Sequence, residues 1–221
     1  MRALAAGRAS TVFDLGEGRV LRRGGAPARE AAIMEYARLA GYPVPDVHEV
    51  RDDALVLERI PGRTMMGDLR TRPWRLHAHA RLLAELHRRL HRIPYGGGAL
   101  LHLDLHPLNV LLSPDGPVVI DWTNARAGEP VLDVALTWVI LATSGGRFAA
   151  AFLRPYLAEF DRAELDRALP QAVELRLADP NVTERERIAA RRLLRKAEFD
   201  SCEKRVESAG PLQEAEDERA R

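Results

Sequence analysis

The segment Leu101 to Ala135, LHLDLHPLNVLLSPDGPVVIDWTNARAGEPVLDVA, decides how the chain is read. Asp104 and Asn109 lie five residues apart with Pro107 between them, which makes a stiff loop instead of a helix or a strand. Val110 to Leu112 and Val118 to Ile120 read as two short strands, with Ser113-Pro114-Asp115-Gly116-Pro117 as a five-residue hairpin connection. The hairpin folds Asp121 back to the end that carries Asn109. A loop carboxylate, an amide and a second carboxylate then make a small oxygen-rich pocket suited to Mg²⁺ and phosphate oxygens.

A different chemistry is also written into this stretch. His102, Asp104 and His106 alternate, and H-x-D-x-H on a strand puts three ligands for a divalent metal on one face, as in a hydrolase. Pro107 and the apolar run Val110 to Leu112 argue against it, because they place the strand after the triplet. A third reading leaves these groups as buried structural polar residues.

The order His102-x-Asp104-x-x-x-x-Asn109, followed by Ile120-Asp121-Trp122, resembles the catalytic loop and metal-binding aspartate of protein-kinase-like folds. HLDLHPLNVLL is similar to the HGDLHPGNVLL element of the aminoglycoside phosphotransferase and choline kinase-like family. IDWTNARAGEPVLDVA is similar to that family's IDWxxAxxGxPxxDLA. The resemblance implies an α+β, two-lobed protein-kinase-like fold, with a small N-terminal antiparallel sheet lobe carrying one helix and a mainly helical C-terminal lobe. Two departures stand out: Leu103 replaces the glycine of HGD, and Leu108 replaces the glycine of HPGN. A leucine is strained at either position if the loop there requires a positive φ.

Upstream, residues 3 to 23 read as three short strands: Ala3 to Ala6, Thr11 to Leu15 and Arg19 to Arg22. Gly7-Arg8-Ala9-Ser10 and Gly16-Glu17-Gly18 are the turns, and in a kinase-like lobe the first covers nucleotide phosphates with backbone N–H groups and the Ser10 hydroxyl. The family carries a phosphate-binding lysine on the third strand. This chain has two lysines, Lys196 and Lys204, so Arg22 is the candidate for that place and Arg23 the register alternative. Pro27 opens a helix expected to run to Gly41, on which Glu30 shares a face with Ile33 and Ala37 and is the expected partner of Arg22. Val47 to Val50 and Ala54 to Leu57 read as a second hairpin, and Glu58-Arg59-Ile60-Pro61-Gly62 resembles the family's hinge, whose backbone from Glu58 to Ile60 faces the adenine edge. The lobes are expected to divide into residues 1–60 and 61–206, with a charged tail at 207–221.

Downstream, Trp74 to Arg92 is an amphipathic helix with Leu76, Leu83, Leu86 and Leu90 on one face. Its histidines read as surface or packing residues. Val134 to Ala142 is a buried helix, Phe148 to Phe160 another, and Glu164 to Leu177 a third that is interrupted near Pro170. Thr183-Glu184-Arg185-Glu186 is a capping box that opens a charged helix to about Val206, and the tail beyond Gly210 is expected to fray.

The chain's 221 residues carry a net charge of +1, with 46% hydrophobic and 29% charged residues, an ordinary globular balance that gives no charge-driven case for nucleic acid. The single cysteine, Cys202, excludes an internal disulfide. MRALAAGRASTVFDLG has no sustained apolar core, and no run approaches the length of a membrane span, so a cytoplasmic protein is expected.

The resemblance implies Mg²⁺-dependent transfer of the γ-phosphoryl group of ATP, or GTP, to a hydroxyl of a small molecule, aminoglycoside- or choline-like. Asp104 would orient or accept the hydroxyl proton, Asn109 and Asp121 would hold the metal, and Arg22 with Glu30 would position the phosphate tail. Asp133 would brace the catalytic loop through backbone amides. The competing class is a nucleotide-binding regulatory protein with weak turnover, favoured by the missing lysine and the short second lobe. A Ser/Thr protein kinase is disfavoured because no long activation segment separates Asp121 from Gly128-Glu129-Pro130.

Overall fold

β-Branched and leucine-rich runs between glycine turns build the first sheet of the computed structural model, which describes residues 2–6, 10–144 and 146–208. Strands β1 (Arg2–Ala6), β2 (Thr11–Gly16), β3 (Arg19–Arg23), β4 (Val47–Val50) and β5 (Ala54–Glu58) form an antiparallel sheet in the order β1-β2-β3-β5-β4. The one helix of this part, α1 (Pro27–Leu39), starts on Pro27 and ends before Gly41, which takes φ +77°. It stops two residues short of the expected end because the left-handed glycine lies outside the helix. Its buried face is Glu30, Ile33, Met34 and Ala37, and Glu35 points outward to Arg38. The turn Gly7 to Ala9 lies outside the described residues.

The second part is mainly helical, with two small sheets, of which the sequence reading anticipated the β9–β10 strands alone. The hairpin β9 (Val110–Ser113) and β10 (Gly116–Val119) pairs Ser113 with Gly116, so its connection is Pro114-Asp115 alone, a two-residue turn instead of five. Gly116 at φ +127° supplies the twist that the tight turn needs. β9 also pairs with β6 (Arg63–Thr64), immediately after the hinge, and is thereby clamped to the helix α2 (Met65–Thr71). β8 (Gly98–Leu101) lies between β7 (Pro94–Tyr95) and β11 (Arg126–Gly128). These strands span two to four residues, too short for a periodic signal.

After a 3₁₀ turn at Pro73–Arg75, α3 (Leu76–His91) buries Leu83, Leu86 and Leu90 as its pattern requires. α4 (Pro130–Ser144) is buried along most of its length, and α5 (Gly146–Leu157) and α6 (Arg162–Ala178) pack on it. α6 is not interrupted at Pro170. Leu165, Leu169, Ala172 and Val173 on both sides of the proline are buried, and that burial outweighs the one helical bond the proline lacks, a defect of about 3 kcal/mol. The capping box closes at α7 (Glu184–Ser208): Thr183 N–H donates to Glu186 Oε2 at 2.8 Å, and Glu186 N–H returns to Thr183 Oγ1 at 3.3 Å. The tail beyond Ser208 lies outside the described residues.

Gly62 makes the junction of the two parts possible. It sits at φ +133°, and a Cβ on it would lie 2.1 Å from the carbonyl oxygen of Leu112. Gly62→Ala is therefore expected to lower stability in urea unfolding by about 2 kcal/mol or more, through left-handed strain and a forced separation of β6 from β9. A variant as stable as the parent would show that this close approach is not required.

Candidate active site

The catalytic loop of the sequence reading, residues 102 to 109, hangs from a buried carboxylate on α4. Asp133 is fully buried; its Oδ1 accepts the Leu103 N–H at 2.7 Å and its Oδ2 accepts the His102 N–H at 2.9 Å. His91 on α3 adds a bond to Oδ2 at 3.0 Å. Burial pushes the Asp133 carboxyl up, but His91, nearby His87 and the backbone amides outweigh it and hold the group well below the usual aspartate range. His87, buried beside this network, is itself pushed down to about 4 by its burial, so it is neutral. His87 and His91 are thus packing groups that serve the loop, whereas His79 binds Asp68.

Leu103 adopts φ +60°, the left-handed region in which the family resemblance places a glycine, whereas Leu108 is not among the positive-φ residues. The strain anticipated at two positions exists at one. Leu103 is only 6% exposed, so apolar burial and the two Asp133 bonds hold the backbone there. The left-handed residue also breaks the H-x-D-x-H alternation. His102 turns into the core, its ring 4.9 Å from that of Trp122 and its Nε2 bonded to the Ile120 carbonyl at 3.2 Å. The metallohydrolase reading fails on this geometry, and no group of three or more His, Cys, Asp or Glu side chains suited to a metal exists among the described residues.

Both oxygens of Asp104 are held. Asn109 Nδ2 donates to Oδ2 at 2.9 Å and to the Asp104 carbonyl at 2.8 Å, and His106 Nε2 lies 3.2 Å from Oδ1. The Leu108 N–H donates to His106 Nδ1 at 3.3 Å, so Nδ1 is the acceptor and Nε2 carries the proton toward Asp104. Burial pushes the Asp104 carboxyl up, but His106, His102 and Asn109 more than offset it, leaving the group below its ordinary range and ionised at neutral pH. Its side chain stays 26% exposed, enough to meet a substrate.

Arg22 is the junction between the two parts. It is 6% exposed, with Nη1 donating to Glu30 Oε2 at 2.6 Å and Nη2 to Asp121 Oδ1 at 2.7 Å and Thr123 Oγ1 at 2.5 Å. Arg23, the register alternative, points outward to Asp53. Glu30 Oε1 also accepts the Trp122 N–H at 3.1 Å. Burial raises the Glu30 carboxyl above its ordinary value and neighbouring Asp121 adds to this, against the opposing pull of Arg22. Asp121, at φ +66°, keeps 37% of its side chain exposed. Thr123 is the member of this group that sequence reasoning missed. It stands at a variable position of the IDWxxA pattern, and nothing local marks it.

Of the remaining candidates, Ser10 lies toward this junction, whereas the register Arg19↔Glu58 sets Glu58 at the other end of β3. The register Thr11↔Arg23 and Val12↔Arg22 puts half-buried Ser10 at the Arg22 end of the β2–β3 ladder. In the hinge, Glu58 N–H is bonded to the Asp46 carbonyl and Arg59 N–H to the Gly18 carbonyl, both at 2.8 Å. Those two amides are therefore occupied, and the Glu58 side chain turns back to the Asp46 N–H at 3.3 Å. The donor set fits a hard divalent cation shared with phosphate: with Nδ2 committed to Asp104, the Asn109 amide oxygen is left for a cation, and Arg22 occupies only Oδ1 of Asp121.

The family model described as the phosphotransferase enzyme family matches residues 94–167, and the one described as the RIO domain matches residues 24–128. An ADP-bound aminoglycoside phosphotransferase, APH(2'')-Ib, superposes with a TM-score of 0.62 at 17% identity, over 90% of this chain and 93% of that one. The choline/ethanolamine kinase family protein from Mesorhizobium loti gives 0.57 at 19% identity, over 88% and 85%. The chain has the protein-kinase-like fold. The resemblance read from residues 101–135 is borne out. Two curated relatives of this kinase-like chain are a probable serine/threonine-protein kinase BUD32 homolog of Archaeoglobus fulgidus and a probable bifunctional tRNA threonylcarbamoyladenosine biosynthesis protein of Methanoculleus marisnigri. The first is 32% identical over 137 residues, 59% of this chain and 65% of the relative; the second is 29% identical over 191 residues, 76% and 34%. The chain thus spans under two thirds of the length of either. No helix among the described residues is long and apolar enough to cross a membrane.

Two stability measurements test this account of the loop. Leu103→Gly and Leu103→Ala both lose the leucine's burial, but glycine alone relieves the left-handed strain, so the glycine variant is expected to be the more stable by about 1 kcal/mol in urea unfolding. The opposite order would place the loop in another conformation. Asp133→Asn turns an amide NH₂ toward a backbone N–H and is expected to cost about 2 to 4 kcal/mol at neutral pH. Because the folded carboxyl is depressed, its contribution is complete above the ordinary aspartate range and is lost only as pH falls through the folded value. The gap between parent and variant should therefore persist through mildly acidic pH and close only in strong acid.

Proposed function

We propose that the chain is an ATP-dependent phosphotransferase that uses Asp104 to orient an acceptor hydroxyl and the Arg22–Glu30–Asp121 junction to receive the nucleotide phosphates. The observation that carries this reading is the junction itself: a buried arginine shared by a helix glutamate and the carboxylate that follows the β9–β10 hairpin. Asp104 is ionised, held on both oxygens and still open to solvent, as a group that positions a hydroxyl and takes its proton late must be. Asn109 and the free oxygen of Asp121 would hold Mg²⁺, which when bound neutralises the charge developing on the phosphate oxygens. Arg22 would trade part of its contact with Asp121 for phosphate, keeping Glu30 as its anchor. GTP remains an alternative donor. Ser10 would close over the phosphates, and the Ile60 N–H is the hinge donor assigned to the base.

The acceptor is proposed as a small-molecule hydroxyl, in line with the matched phosphotransferase model and the aminoglycoside and choline/ethanolamine kinase neighbours. A protein or tRNA-related acceptor is the second reading, supported by the RIO-domain match and the names of the two curated relatives.

Turnover of ATP and GTP with Mg²⁺, across aminoglycosides, choline, ethanolamine, sugars and a protein acceptor, tests both readings. Asp104→Ala is expected to lower kcat about a hundredfold or more with little change in nucleotide affinity, and Asp121→Ala to lower both. Acceptor-stimulated turnover that survives either substitution would overturn the assignment. Mg²⁺-dependent nucleotide binding without turnover on any acceptor would favour a regulatory role.

A further inference from the structure

The net charge of +1 conceals an uneven distribution. Between Arg59 and Arg81 six arginines stand against one carboxylate, Asp68, a net of +5 within 23 residues. That carboxylate does not lie on the surface. It is 2% exposed and sits beneath the arginines, with Arg72 Nη1 at 2.7 Å from Oδ1, Arg75 Nη1 at 3.6 Å from Oδ2 and His79 at 2.9 Å from Oδ2. Arg72 and Arg75 keep 45% and 48% of their side chains exposed. Arg63 joins them from β6, donating to Thr71 Oγ1 at 3.2 Å at the end of α2. One buried acid thus fixes two guanidinium groups close together in spite of their mutual repulsion, with a third alongside.

Between Arg72 and Arg75 stand Pro73 and Trp74, and the indole is 74% exposed. The other two tryptophans, Trp122 and Trp138, are buried at 0% and 6%. This large aromatic face, flanked in the chain by Arg72 and Arg75, is open for a flat ring to stack on. The patch is also attached to the catalytic loop: the Met66 N–H of α2 donates to the Pro107 carbonyl at 2.9 Å, and β6 pairs with β9.

We infer that this arginine and tryptophan surface on β6, α2 and the following 3₁₀ turn docks single-stranded RNA. The guanidinium groups match phosphate oxygens, and the protruding indole offers a stacking face to one unpaired base. A phosphopeptide has no use for the indole, and an anionic membrane surface calls for a broader apolar face than one ring flanked by charge. A base that is already unstacked is a feature of RNA loops and ends, whereas duplex DNA offers none. An RNA held here lies beside the loop that carries Asp104, so the surface bears on which molecules approach the site, whatever the acceptor is.

Fluorescence anisotropy with a fluorescein-labelled single-stranded RNA of roughly twelve nucleotides tests the inference on the full chain. With three phosphate contacts, affinity is expected to fall roughly twentyfold between about 50 and about 200 mM salt. Trp74→Ala is expected to weaken binding at least about fivefold, Arg75→Gln to weaken it and reduce the salt slope by about 0.7, and Arg51→Gln, on the β4–β5 turn, to leave it unchanged. Because Trp74 is the exposed indole, RNA should quench the long-wavelength tryptophan emission of the parent and not that of Trp74→Ala. Absence of binding at low salt overturns the inference. So does binding that heparin displaces completely and Trp74→Ala does not alter, which marks a nonspecific basic surface. Tighter binding of a doubly phosphorylated peptide, or of phosphatidylserine vesicles, than of RNA replaces it with that partner.

Discussion

Arg22 holds together chain segments 99 residues apart, and the arrangement of the site depends on it. A guanidinium that is 6% exposed must be matched by anions, and it finds Glu30 on the N-terminal helix and Asp121 after the β9–β10 hairpin. Glu30 extends the link through its other oxygen to the Trp122 amide. Arg29 adds a bond from the same helix to the Ala125 carbonyl at 2.7 Å. The N-terminal sheet is thereby tied to the same short segment that presents Asp121. An arginine can do this where a lysine could not, since its planar fork reaches two carboxylates and a hydroxyl at once.

The loop of residues 102–109 is supported from the opposite side. Asp133 accepts two consecutive amides, one on each oxygen, and holds His91 on Oδ2, so a residue inside the buried helix α4 sets the position of Leu103, and with it Asp104. The loop stores left-handed strain at Leu103 and is stiffened by the His106 and Asn109 contacts to both Asp104 oxygens. A carboxylate fixed in this way loses little rotamer freedom when a hydroxyl arrives, which is the entropic advantage a positioning group needs.

Much of this was legible in the sequence because the relevant signals are local. The D-x-x-x-x-N spacing, the hairpin before Asp121, the i, i+3, i+7 face of Glu30 and the T-E-R-E capping box each lie within one element or one turn. The burial of Arg22 in preference to Arg23 followed from alternation along β3 once the register was seen. Other features were not legible. β6 and β11 owe their existence to partners distant in the chain, β7 and β8 form a hairpin of two- and four-residue strands too short for a periodic signal, and Thr123 acquires its role only when Arg22 arrives from the other lobe. Pro170 signalled a break that tertiary burial overrode, and the hinge amides of Glu58 and Arg59 turned out to be occupied by contacts with Asp46 and Gly18. The whole-chain balance of +1 concealed the charge of the 59–81 segment, and nothing local marked the burial of Asp68 beneath its arginines.

Titration of ADP into the protein by calorimetry, with and without Mg²⁺, tests the central claim that the Arg22 junction is a nucleotide-phosphate site. The account predicts Mg²⁺-dependent binding by the parent and a loss of about tenfold or more in Arg22→Gln, whose circular dichroism remains that of a folded chain. Nucleotide binding indifferent to Mg²⁺ and unchanged in a folded Arg22→Gln protein would contradict it, and would leave the junction as a strut between lobes and nothing more.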